Sequence, residues 1–245
     1  MYNFRVKTIH KHIYEGFFMK KTPELVVMLT KNDHTVANAS EVFEQCKSSS
    51  AKCFGFKEKP LTEDEMKELF SYMKSLGKEV FLEVVEYTEE EGLKGAEAAV
   101  RYGCDALMGT VFFDSINEYC KENNIKYFPF VGEVTERPSV LNGNAEDMIK
   151  EANEYIAKGA SGIDFLGYRY TGDCFELCKK FVEGVNAPVC IAGSVDSYQR
   201  LDELLEISPY SFTIGGAFFD KKFGDDLCEQ INTVCAYMKG ETKNA

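Results

Sequence analysis

Apolar residues along the chain gather in short continuous runs, and each run is followed by a longer stretch in which they recur every three or four positions. ELVVML (24–29), KCFGFK (52–57), KEVFLEVV (78–85), CDALMGT (104–110), KYFPFVG (126–132) and SGIDFLG (161–167) have the near-continuous hydrophobicity of strands covered on both faces. Two more runs centre on CIAGSV (190–195) and FTIGGAFF (212–219). The stretches 39–49, 62–77, 88–103, 114–123, 144–159, 173–185 and 225–240 carry the helical period, as does the segment between the last two runs. The clearest helix is 62–77, with Thr62 as N-cap, Glu65 completing a capping box and Gly77 as the stop.

Strand and helix alternate eight times without a linker or a low-complexity segment. The pattern predicts an α/β fold, a (βα)8 TIM barrel with an eight-stranded parallel sheet, as one domain over residues 23–245. Residues 1–22 precede it as an N-terminal extension that either closes the barrel bottom or contacts a second copy in a homo-oligomer. Its histidines, His10 and His12, read as solvated surface groups. An open, doubly wound sheet would want a glycine-rich turn after its first strand. TKNDHTVANA stands there and holds no glycine, so neither nicotinamide nor flavin is expected.

In such a barrel the outer strand face lies under helices and must be apolar, so polar residues inside strands point inward, toward the substrate at the C-terminal mouth. That rule selects Lys57 at the end of the second strand, Glu83 in the third and Asp164 in the sixth. Leu82 and Val84 flank Glu83, and an outward Glu83 would bury a bare carboxylate under a helix. Lys57 and Glu83 are then neighbours able to share an ion pair or a proton. A lysine in an apolar barrel can have its pKa lowered toward Schiff-base or general-base chemistry. The competing structural reading is a buried ion-pair network that fills the barrel. His34, in the first loop on the same face, is the acid–base candidate at neutral pH, or else part of an Asn-Asp-His turn. Glu133 opens the longest loop, 133–144, whose Pro138 and Gly143 bracket a segment long enough for a lid, and which also carries Arg137. Arg169, after the sixth strand, is a candidate grip for a carboxylate or a second phosphate.

Composition narrows the partners. The 245 residues are 44% hydrophobic, enough for a sizeable core, and no apolar run approaches a membrane span. Lys and Arg number 28 against 40 Asp and Glu, and the net charge of -12 argues against nucleic acid and anionic membranes. The nine cysteines lack any C-x-x-C pair, which fits reduced thiols in a cytoplasmic protein, several of them buried in strands. Cys174 and Cys178 share a helix face without zinc spacing around them. No cofactor and no metal are expected.

Gly193 and Ser194 end the seventh run, and Gly215 and Gly216 end the eighth. Glycine there lets a strand turn sharply and brings backbone N–H groups close to an anion, beside a helix N-terminus. CIAGSV and FTIGGAFF resemble the phosphate loops of the ribulose-phosphate-binding barrel superfamily of isomerases, synthases, epimerases, decarboxylases and aldolases. The resemblance covers about the last quarter of the chain. It implies a phosphorylated substrate held by Gly193, Ser194, Gly215 and Gly216. The third strand, FLEVVE, lacks the decarboxylases' Asp-x-Lys, and no metal-binding histidine pair marks an epimerase. The layout is also similar to glycerol-phosphate-responsive regulators on this barrel. The leading expectation is a metal-independent isomerase or carbon–carbon lyase (aldolase-type) for a small phosphorylated sugar or acid. One alternative is a non-catalytic sensor; another is a Mg-dependent phosphoester hydrolase using Glu83, Glu133 and Asp164.

Overall fold

The computed structural model describes residues 22–241. The expected N-terminal extension, with His10 and His12, therefore lies outside the described residues except for Thr22. Among the described residues, eight parallel strands form the sheet: β1 (Glu24–Met28), β2 (Cys53–Lys57), β3 (Glu79–Val84), β4 (Ala106–Gly109), β5 (Lys126–Phe128), β6 (Ile163–Phe165), β7 (Val189–Ile191) and β8 (Ser211–Ile214). Their spatial order is β6-β7-β8-β1-β2-β3-β4-β5. The two ends of that order meet through backbone bonds from Ser161 N to Tyr127 O (2.8 Å) and from Asp164 N to Pro129 O (3.0 Å). The barrel is thereby nearly closed, with its thinnest join at β5–β6. Pro129 has no N–H to give to that join.

Helices α1 (Ala39–Cys46), α2 (Glu63–Ser75), α3 (Glu89–Tyr102), α4 (Asp114–Glu122), α5 (Ala145–Lys158), α6 (Cys174–Gly184) and α7 (Tyr198–Ile207) follow the first seven strands. A one-turn helix, α8 (Gly216–Phe219), and α9 (Leu227–Met238) follow β8. This is the (βα)8 barrel that the periodicity predicts. Thr62 and Glu65 form the expected capping box at the start of α2.

Strand alternation separates two apolar regions. Phe43, Phe54, Phe56, Phe70 and Phe181 fill the layer between sheet and helices, where each buried side chain contributes about 1.5–3 kcal/mol. Inside the barrel sit Val26, Met28, Cys53, Ala106, Met108, Phe128 and Cys190, with Phe81 against both groups. All nine cysteines are free. Among the described residues no helix is long and apolar enough to cross a membrane.

Two loops at the C-terminal mouth fold into hairpins. After β1, Thr30–Lys31 pairs antiparallel with His34–Thr35. The two residues between them, Asn32 (φ 51°) and Asp33 (φ 65°), take the left-handed conformation that a two-residue type I′ turn requires. After β5, Glu133–Thr135 pairs with Val140–Asn142. This second hairpin is a strap across the mouth. Its base is held by Tyr170 Oη donating to Gly143 O (2.9 Å) and Thr171 Oγ1 donating to Asn142 Oδ1 (2.9 Å). Its tip is pinned by Arg137 Nη2, which donates to Glu58 Oε1 and to Val85 O, each at 2.6 Å.

Candidate active site

Lys57 closes β2, and its register partner on β3 is Glu83. Both side chains point into the barrel, as Leu82 and Val84 on either side of Glu83 require. Lys57 Nζ lies 2.8 Å from Glu83 Oε1 and 2.9 Å from Asp33 Oδ1. All three side chains are more than nine-tenths buried, at 7%, 8% and 9% exposure. Thr35 fixes the geometry: its hydroxyl accepts from Lys57 N (2.9 Å) and donates to Lys57 O (2.8 Å), tying the first hairpin to the end of β2.

Charges this buried are retained where they are paired. Burial works to lower the Lys57 pKa, but the carboxylates of Glu83 and Asp33 outweigh it and raise it above the ordinary lysine value. The structure here departs from the lowered pKa that an apolar barrel suggests. The two carboxylates thus hold Lys57 as an ammonium. Asp33 Oδ2 is buried and has no hydrogen-bond partner. The triad thus offers a cation and a free carboxylate oxygen side by side.

The second group of residues lines the same cavity, about 280 Å³ in volume. Asp33, Lys57 and Glu83, from the chain between β1 and β3, and Arg169, Gly193, Ser194, Gly215 and Gly216, from the loops after β6, β7 and β8, line it together. Pro138 and Ser139 of the strap also face it. Gly193 (φ 84°) and Ser194 (φ 45°) turn sharply out of β7, the sort of backbone that brings successive N–H groups toward an anion. At Gly215 a Cβ would come within 2.7 Å of Thr30 Oγ1, so the eighth turn must be glycine to pass β1.

The remaining candidates fall elsewhere. Asp164 is inside the barrel but fully buried and is absent from the cavity wall. It pairs in register with Cys190, which packs with Ala106, Met108 and Phe128. Burial, and next the charge of Glu83, push the Asp164 carboxyl well above the usual carboxylate range. Neither of its side-chain oxygens has a partner. His34 is exposed, with Nδ1 2.8 Å from Asn32 O, because the I′ turn directs Asp33 inward and the next side chain out. Glu133 is exposed at the foot of the strap and joins neither Glu83 nor Asp164. Among the described residues no group of three or more His, Cys, Asp or Glu side chains is arranged to hold a metal ion. Arg137 serves as the clasp of the strap. Asp33 was the residue that sequence reasoning passed over. Its signal was present as an Asn-Asp pair, tolerant of the left-handed region, between the threonine-flanked ends of a hairpin.

The sequence matches no protein-family model and no curated protein sequence. Solved structures share the fold. Orotidine 5′-phosphate decarboxylase from Pyrococcus horikoshii is 14% identical at a TM-score of 0.66, over 88% of this chain and 99% of its own. N-(5′-phosphoribosyl)anthranilate isomerase from Pyrococcus furiosus is 13% identical at 0.63, over 89% and 99%. N-acetylmannosamine-6-phosphate 2-epimerase from Clostridium perfringens is 14% identical at 0.59, over 79% and 86%. All three are ribulose-phosphate-binding barrels, the group whose phosphate loops CIAGSV and FTIGGAFF resemble. At these identities the likeness establishes the fold.

Proposed function

We propose that the protein is an isomerase or carbon–carbon lyase acting on a small phosphorylated metabolite. The observation that carries this reading is that the Asp33–Lys57–Glu83 triad and the glycine turns at 193–194 and 215–216 line one cavity. Backbone N–H groups at the turns, with Ser194, bind the phosphate and so fix the position of the rest of the molecule. Asp33, whose Oδ2 is free, takes a proton from carbon next to a carbonyl. The Lys57 ammonium stabilises the negative charge that develops on the carbonyl oxygen, and Glu83 orients Lys57. The three named barrels act on phosphorylated compounds, which supports the substrate class without naming a reaction.

Solvent-proton exchange in deuterium oxide, monitored by NMR with a panel of aldose and ketose phosphates, tests this. The expected outcome is deuterium incorporation next to the carbonyl, reduced about a hundredfold or more in Asp33→Asn, as for loss of a general base. Borohydride is expected to trap no adduct on Lys57, since an ammonium does not add to a carbonyl. A second reading, ligand sensing without turnover, draws support from the ion pairs Lys57 already makes within the protein. Tight binding with no exchange by any member of the panel favours it.

A further inference from the structure

Arg169 stands apart from the other described arginines. Arg101, Arg137 and Arg200 each make an ion pair, with Glu63, Glu58 and Glu203, whereas Arg169 makes none among the described residues. Its Nε is buried without a hydrogen-bond partner, and the residue lines the cavity. The side chain lies directly across Gly193. A Cβ at that position would sit 2.5 Å from Arg169 Cγ and 2.9 Å from Nε. Glycine at 193 therefore does two things: it takes the left-handed turn and leaves room for the guanidinium stem beside the turn.

The neighbourhood sustains the placement. Arg169 ends the 3-10 turn Gly167–Arg169, and Tyr168 in that turn is buried with the Arg200 guanidinium 4.1 Å from its ring centroid. The following residues, Tyr170 and Thr171, are the ones that hold the base of the strap. Arg169 is thus presented from a segment fixed on both sides.

Charge is divided across the cavity. On the glycine-turn side, Arg169 and Lys222 line the wall without ion pairs, Asp220 is neutralised by Lys31 at 2.8 Å, and Asp196 is the one unpaired acid. On the triad side, two carboxylates face one ammonium. One end is net positive and the other net negative.

We infer that Arg169 is the charged clamp of the anion site, gripping the same phosphate as the turns at Gly193 and Gly215, and that the cavity accepts ligands with one anionic terminus only. A full carboxylate charge at the triad end would be a third anion beside Asp33 and Glu83, against the single ammonium of Lys57. This rests on the reading of the glycine turns as a phosphate site. It sharpens that reading to phosphate monoesters whose other groups are uncharged. The guanidinium adds bidentate, charge-assisted bonds where the turns offer neutral amides.

The test is calorimetric titration of the full chain with three probes: inorganic phosphate, an aldose phosphate, and the aldonic acid phosphate of the same chain length. The expected result has three parts. Arg169→Gln weakens inorganic phosphate about 10–100-fold, as loss of a charged hydrogen-bond donor does. Arg169→Lys recovers part of that loss, and the wild type binds the acid roughly tenfold or more weakly than the aldose phosphate. Undiminished phosphate binding by Arg169→Gln, or an acid that binds as tightly as the neutral sugar, overturns the inference and leaves the phosphate reading standing. A wild-type protein that takes up no inorganic phosphate at millimolar concentration overturns both. Thermal melts accompany each variant. Should Arg169→Gln fail to fold, Arg169→Met, which keeps the length of the stem and removes the charge, is judged by the same criteria.

Discussion

The rim built by β1–β3 and the rim built by β6–β8 line one cavity and differ in how far their polar groups are paired within the protein. On the first, Lys57 sits between Glu83 and Asp33, Thr35 locks the hairpin to the strand, and Asp33 Oδ2 is the one triad oxygen left buried without a partner among the described residues. On the second, Arg169 Nε is buried at the cavity without a partner among the described residues, as are both oxygens of Asp164, which lies on β6 but away from the cavity wall. A satisfied buried network is rigid and costly to break, whereas unsatisfied groups lower the stability of the empty fold. The ion-paired core of the first rim is therefore built before any ligand arrives, and on the second Arg169 is the unpaired group that lines the cavity.

Breaking the satisfied rim should have the largest effect. Lys57→Met leaves Asp33 and Glu83 buried as neighbouring like charges, and is expected to cost about 3–5 kcal/mol in urea denaturation. Adding Glu83→Gln should recover part of that loss, which a double-mutant cycle measures. A Lys57→Met protein as stable as the wild type would end the contrast between the rims.

On the unsatisfied side the sign reverses. The Asp164 carboxyl is raised from its ordinary value near 3.8, so the folded protein holds a proton that the unfolded chain releases. Stability from this group is full below that value and falls as pH rises toward the folded pKa, by up to about 1.4 kcal/mol per pH unit. Asp164→Asn should remove that slope and give the more stable protein at neutral pH, while the two proteins converge near pH 4. Melting curves from pH 4 to 8 check it; parallel curves would show that Asp164 is not protonated in the fold.

The smallest effect belongs to His34, which is outside both rims. His34→Ala should change stability by no more than about 0.5 kcal/mol, as for an ordinary surface position. A proton-exchange rate that fell with the substitution would bring His34 back to the cavity and redraw the first rim.

Much of this was legible in the chain. Eight strand–helix units follow from periodicity because both faces of each strand are buried, and Lys57 and Glu83 follow from the inward alternation that apolar neighbours enforce. The glycines at 193 and 215 advertise turns that side chains would obstruct. What the sequence left open depends on reversals and on distance. Asp33 and His34 are adjacent, and only the I′ turn decides which of them reaches Lys57. Asp164 obeys the inward rule yet is sealed among interior apolar residues, since the rule sets direction and is silent on depth. Arg137 and Arg169 are alike in a sequence, both on long mouth loops. Glu58 and the Val85 carbonyl claim the first, whereas among the described residues the Nε of the second has no partner.

The join between β5 and β6 gives the barrel a starting point for coming apart. Two backbone bonds, at Ser161 and Asp164, close it, and the buried carboxyl of Asp164 stands beside one of them. The strap leaves the chain just after β5 and is moored to the loop after β6, so it acts as a stitch over the top of that seam. The molecule is less a hoop of equal staves than a ribbon wound once and sewn along one edge. The bonds that moor the strap, from Tyr170 and Thr171 to Gly143 and Asn142, therefore tie the chain after β5 to the chain after β6 above the seam that two backbone bonds close below.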